Sequence, residues 1–103
     1  MKDRLDLHAK LVELLGSNQV YFQPPESVRM KYPCIVYERD NVDINSADDA
    51  KYLKNVRYEA MYISKEPDTN DIIESILDTF KYCRYVRHFV SDNLNHEVFT
   101  IYY

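Results

Sequence analysis

KNVRYEAMYISKEPDTNDIIESILDTFKYCRYVRHFVSDNLNHEVFTIYY, residues 54–103, alternates, breaks, turns helical and alternates twice more; this order of periods decides the fold. In its first part Val56, Tyr58, Ala60 and Tyr62 share one face of an extended segment, and Arg57, Glu59, Met61 and Ile63 share the other. Pro67-Asp68-Thr69 ends that strand, and Asp68 with Asp71 offers an N-cap and a dipole-compatible acid for a helix. Ile72, Ile73, Ile76, Leu77 and Phe80 then recur at helical spacing as a narrow apolar stripe. Arg84–Val90 alternates again, Ser91–Asn95 is rich in turn formers, and His96–Tyr103 is strongly β-prone. A loop of about five residues between two such runs predicts an antiparallel hairpin. The final strand needs partners for its backbone groups, so it is expected to be part of the sheet.

Upstream, Leu7, Leu11, Leu14 and Leu15 lie on one side of a helix predicted over residues 3–16, with Gly16-Ser17-Asn18 as its stop. Val20–Gln23 reads as a short extended segment ended by Pro24-Pro25, and the first proline is expected to hold Gln23 out of helical geometry. Cys34–Arg39 is β-branched, aromatic and almost uninterrupted, as suits a strand near the middle of a sheet. From Asp40 to Lys54 the chain turns polar, and this stretch is either a solvated turn or a contact arm. The predicted class is α+β in the order α-β-β-β-α-β-β: an antiparallel-dominated sheet of about four to five strands with two helices on one face. Residues 1–103 make one domain, with a polar loop or arm at 40–54.

Composition excludes several functions. A net charge of −4 and scattered basic residues argue against a protein that grips nucleic acid through phosphates. One glycine cannot build a phosphate-cradling loop. The N-terminus lacks the apolar run of an export signal, and no apolar run approaches the roughly 20 residues of a membrane span, so a soluble protein with free Cys34 and Cys83 is expected. Ten tyrosines and no tryptophan suit half-buried sheet faces and subunit interfaces equally.

Chemistry-bearing clusters are weak. Cys83, His88, Asp92 and His96 lie close in sequence, yet a cysteine nucleophile needs an adjacent base and an oxyanion site that this spacing does not supply. If Val90 pairs with His96, then His88 and His96 share a face, but two histidines fall short of the ligands zinc requires. The acids between Asp40 and Asp49 lack the calcium-loop pattern. No catalytic residue, cofactor or metal is therefore expected.

Tyr52-Leu53-Lys54, Val56-Arg57-Tyr58-Glu59, Ser64-Lys65-Glu66-Pro67-Asp68, Tyr82-Cys83-Arg84-Tyr85 and the run from Ser91 to Tyr103 together resemble the tail completion or tail terminator proteins of long-tailed bacteriophages and prophages. The resemblance runs from about Tyr32 to Tyr103 and is densest in the terminal hairpin. It implies a minor tail protein that is not an enzyme: a hexameric ring at the head-proximal end of the tail tube, halting its growth and joining the tail to the capsid connector. The implied partners are further copies of the chain, the tail tube protein and head-tail connector proteins, with no membrane. The implied location is the head-tail junction of the virion, after synthesis in the host cytoplasm. A connector or stopper on the head side of the same junction is the alternative, and a small enzyme using Cys83 and His88 the second. Interface positions follow only by region. Asp43, Asp48, Asp49, Lys51 and Tyr52 are candidates for a subunit-interface or lumen arm, and Phe99, Ile101, Tyr102 and Tyr103 for contacts along an edge strand. DNA would pass through such a ring without being held tightly, and Asp43, Asp48 and Asp49 are the candidates for repelling its phosphates.

Overall fold

The computed structural model describes residues 4–44 and 54–103, with 41–44 and 54–55 described by backbone alone. Two helices and five strands follow in the expected order: α1 (Arg4–Leu15), β1 (Val20–Phe22), β2 (Cys34–Ile44), β3 (Lys54–Ser64), α2 (Asn70–Thr79), β4 (Cys83–Ser91) and β5 (Leu94–Tyr102). They form an α+β fold with one mostly antiparallel sheet ordered β1-β2-β3-β5-β4, and β1 adds to β2 in parallel. Because β5 runs antiparallel to both β3 and β4, those two strands are parallel to each other, and α2 is the crossover between them. The last strand fills the slot the crossover leaves open.

Local chemistry explains most boundaries. Gly16, at φ +79°, takes the left-handed position after α1, and its N–H donates to the Val12 carbonyl at 2.9 Å. Asp92 and Asn93 both have positive φ, +53° and +62°, so β4 and β5 are joined by a two-residue turn of the kind whose twist matches a hairpin. The expected five-residue loop is thus shorter: Ser91 pairs with Leu94, and the register puts Phe89 opposite His96 and Val90 opposite Asn95. Gln23 is not extended before Pro24 but left-handed at φ +45°, with its N–H donating to Tyr37 and its side-chain oxygen accepting from the Arg39 N–H.

The β2–β3 hairpin also reaches further than its polarity suggested. Pairing continues to Ile44 opposite Lys54, past a bulge at Asp40, so the ends of the predicted 40–54 loop are strand. Ladder hydrogen bonds do not depend on side-chain hydrophobicity, which is why the polar composition misplaced the boundary.

Helix α1 lays Leu7 and Leu11 on the sheet, both fully buried, and α2 adds Ile76 at its own buried face. Beneath them Ile35, Tyr37, Tyr58, Ala60, Phe99 and Ile101 form the core. Fully burying each large side chain contributes about 1.5–3 kcal/mol.

Candidate functional site

Strand parity divides the sheet into two unlike faces. Cross-strand partners point the same way, so Tyr37, Ala60 and Phe99 share the face under the helices, while Val36, Met61 and Val98 share the other. Among the described residues no helix lies on this second face. Even so, its centre is apolar: Cys34, Ile63 and Val98 are buried and stand apart from the helix-side core, with Val36 and Met61 half-buried beside them. Phe89 and His96, opposite each other in the register, stack with ring centres 4.5 Å apart, and the Arg87 guanidinium sits 4.9 Å over the Phe89 ring.

Charge on this outer face is segregated. Glu38 of β2 stands directly opposite Glu59 of β3, and neither carboxylate meets a cation among the described residues. Arg57, the next outward-facing residue of β3, is paired with Asp40 at 3.0 Å. At the far side of the sheet Arg84 and Arg87 of β4 are both exposed.

The expected edge strand is a correction. Strand β5 lies between β3 and β4, so Phe99 and Ile101 are core residues at 0% and 1% exposure, Tyr103 is buried at 7%, and Tyr102 is half-buried on the outer face. The free edge belongs to β4. Its Arg84, Arg87 and His88, the bulge at Val86 and the exposed Val86 and Val90 carry the mark of an edge, where unpaired backbone is guarded by charge and irregularity. That signal is present in the sequence, since β4 is the more charged of the two terminal strands.

Of the arm candidates, Asp43 sits in β2 opposite Asn55, whereas Asp48, Asp49, Lys51 and Tyr52 lie outside the described residues.

Sequence pattern missed one buried polar cluster. Glu97 is 3% exposed on the helix side, where the Thr69 hydroxyl donates to one carboxylate oxygen at 2.6 Å and the Tyr85 hydroxyl to the other at 2.7 Å. Thr69, not Asp68, is the N-cap of α2, and its side chain bonds Glu97 instead of capping the helix. The cluster therefore pins the start of α2 to β5 and β4. Burial, with the hydrogen bond to the Glu97 carboxylate and its charge, pushes the Tyr85 phenol up to about 12. A second polar group, Arg4 and His8 of α1 on the Tyr37 hydroxyl at 3.1 and 2.7 Å, ties α1 to β2, and burial, with Arg4 nearby, lowers the His8 pKa.

Cys83 and His88 are not brought together. Cys83 is level with Ile101 and His88 with Glu97, a separation of roughly 14 Å along the strand. Burial pushes the thiols of Cys83 and Cys34 up to about 11, the opposite of what a nucleophile needs. The two cysteines are free and face opposite sides of the sheet. His88 and His96 likewise project from opposite faces, because the two-residue turn shifts the pairing by one from the expected register. His88 instead bonds Asn95 at 3.0 Å. Among the described residues no three of His, Cys, Asp and Glu converge on a metal position, and no helix is long and apolar enough to cross a membrane.

Comparison with protein-family models finds no match, and no curated protein is significantly similar in sequence.

Proposed function

We propose that this chain is a virion assembly subunit that caps the head-proximal end of a phage tail tube as a ring and joins the tail to the capsid connector. The observation that carries this reading is the outer sheet face: apolar at its centre, charged at its flanks, and covered by neither helix among the described residues. An isolated subunit gains little from such a face, whereas a subunit that works by contact needs one. The likeness of the stretch from about Tyr32 to Tyr103 to tail terminator proteins supplies the particular assembly. On this reading acids of the stretch 40–54, Asp43 of β2 among them, keep the DNA passage unobstructed by repulsion.

The test is deletion of the gene followed by electron microscopy of the particles. Filled heads lacking tails, together with free tubes of irregular length, are expected, and adding the purified chain to tubes of natural length restores joining. Normal tails beside heads that leak DNA would move the chain to the head side of the junction. Wild-type particles would end both readings.

A further inference from the structure

On an antiparallel sheet with one solvated face, alternation places polar residues outward, and the outer rows here break that rule at Val36, Met61 and Val98. Beside those rows, like charges directly opposite each other at Glu38 and Glu59 destabilise an isolated sheet. The opposite flank carries Arg84 and Arg87. Strand addition at the margins is discouraged, because β1 has three residues, β2 is bulged at Asp40 beyond it, and β4 is bulged at Val86. The face, not the edge, is what remains for a partner.

We propose that the outer sheet face docks a second copy of this chain, face to face, about a two-fold axis running along the strands between β3 and β5. That rotation exchanges the positions of β2 and β4 and of β3 and β5 while keeping each row level. Glu38 then lies over Arg84 of the second copy, and Met61 over its Val98. The acid pair, which meets no cation among the described residues, gains one, and the apolar rows close on each other as in an aligned sandwich with sheets about 10 Å apart. A nucleic-acid strand or a uniformly charged peptide would meet repulsion on one flank, so the two-signed face matches itself better than a partner of one sign. At about 4.8 Å between strands and about 3.4 Å per residue, the shared face of β2 to β5 measures roughly 450 Å² per copy. A pair burying on the order of 900 Å² is below standard interface size, as suits a weak contact that depends on concentration. This contact is isologous and occupies the same outer face that carries the tail reading, so a pair formed in solution would have to open before that face met a neighbour in a ring; the pairing itself does not rest on the tail reading.

Sedimentation equilibrium of the purified full chain, without tails, tests it. A species of twice the 12.3 kDa chain mass is expected as concentration rises through the micromolar range, weakening with added salt. Met61→Glu is expected to weaken pairing by roughly tenfold or more, because it sets an unpaired charge in the contact. The decisive arm is reciprocal. The double variant Glu38→Arg with Glu59→Arg and the double variant Arg84→Glu with Arg87→Glu each stay monomeric, and mixing them restores a dimer. Restoration requires both to be folded, so it stands even if Met61→Glu does not fold. A parent chain that is monomeric throughout, a dimer indifferent to these changes, or a mixed pair that fails to associate while both variants keep parental circular dichroism would overturn the proposal. Mass gained only on adding tail tubes would overturn it too, and give the face to the tube.

Discussion

The two faces of one sheet bury apolar side chains in opposite ways. Under the helices, Tyr37, Phe99 and Ile101 are covered by α1 and α2, and the Tyr37 hydroxyl and the Glu97 carboxylate are hydrogen-bonded within one chain. On the outer side Cys34, Ile63 and Val98 are also buried although neither helix lies there, and the acids Glu38 and Glu59 beside them meet no cation among the described residues. The first face makes the domain stable. The second leaves the half-buried Val36 and Met61 and the facing acids Glu38 and Glu59 without a covering helix, which is the property expected of a surface selected for contact.

The largest expected effect sharpens that contrast from the covered side. Phe99→Ala empties the centre of the core and is expected to cost about 3–5 kcal/mol of unfolding free energy, a large part of the roughly 5–15 kcal/mol of a typical domain, read by urea denaturation. Val98→Ala, one residue away and facing outward, is expected to cost clearly less in dilute monomer, and equal losses would erase the distinction between the faces.

Next in size is the polar pin of α2. Glu97→Ala leaves the Thr69 and Tyr85 hydroxyls without their acceptor, and a loss of about 1–3 kcal/mol is expected, with hydrogen exchange rising first at the start of α2. Uniform exchange along the chain would show that Glu97 does not anchor that helix.

A smaller change should have the opposite sign. Glu59→Lys replaces a directly opposed like pair by an opposite one, so the monomer should gain about 0.2–1 kcal/mol, seen as a higher urea midpoint. The same variant should self-associate less, and a gain in stability coupled to a loss of contact is what distinguishes an interface from a poorly optimised surface.

The thiols give the mildest test, one on each face. Both are raised from 9.0 to about 11 by burial, so the folded state favours the protonated form. Their contribution to stability is therefore full below about pH 9 and declines as pH rises towards 11. At pH 8 a thiol-reactive dye should label the native chain far more slowly than the chain in urea, and fast native labelling would contradict the burial of Cys34 and the partial burial of Cys83.

Periodicity made both helices, all five strands and the α+β class legible, and it separated Tyr58 and Ala60 from Arg57 and Met61 before any coordinates were considered. It failed where hydrogen bonding outlasts hydrophobic pattern, as at the polar ends of the β2–β3 hairpin, and where one residue of turn length reverses a face, as at Asp92-Asn93. The Glu97 cluster was illegible because Thr69, Tyr85 and Glu97 come from three separate parts of the chain and share no spacing.

By itself, then, the sequence determined what each segment is and which side chains alternate together, because those properties arise from neighbours along the chain. Only the tertiary structure decided that β5 is internal and β4 is an edge, that Phe99 and Ile101 are core and not contact, and that both described helices lie on one face of the sheet. Strand order depends on which backbone groups meet after the α2 crossover, a choice made between residues far apart in sequence, and no local pattern records it.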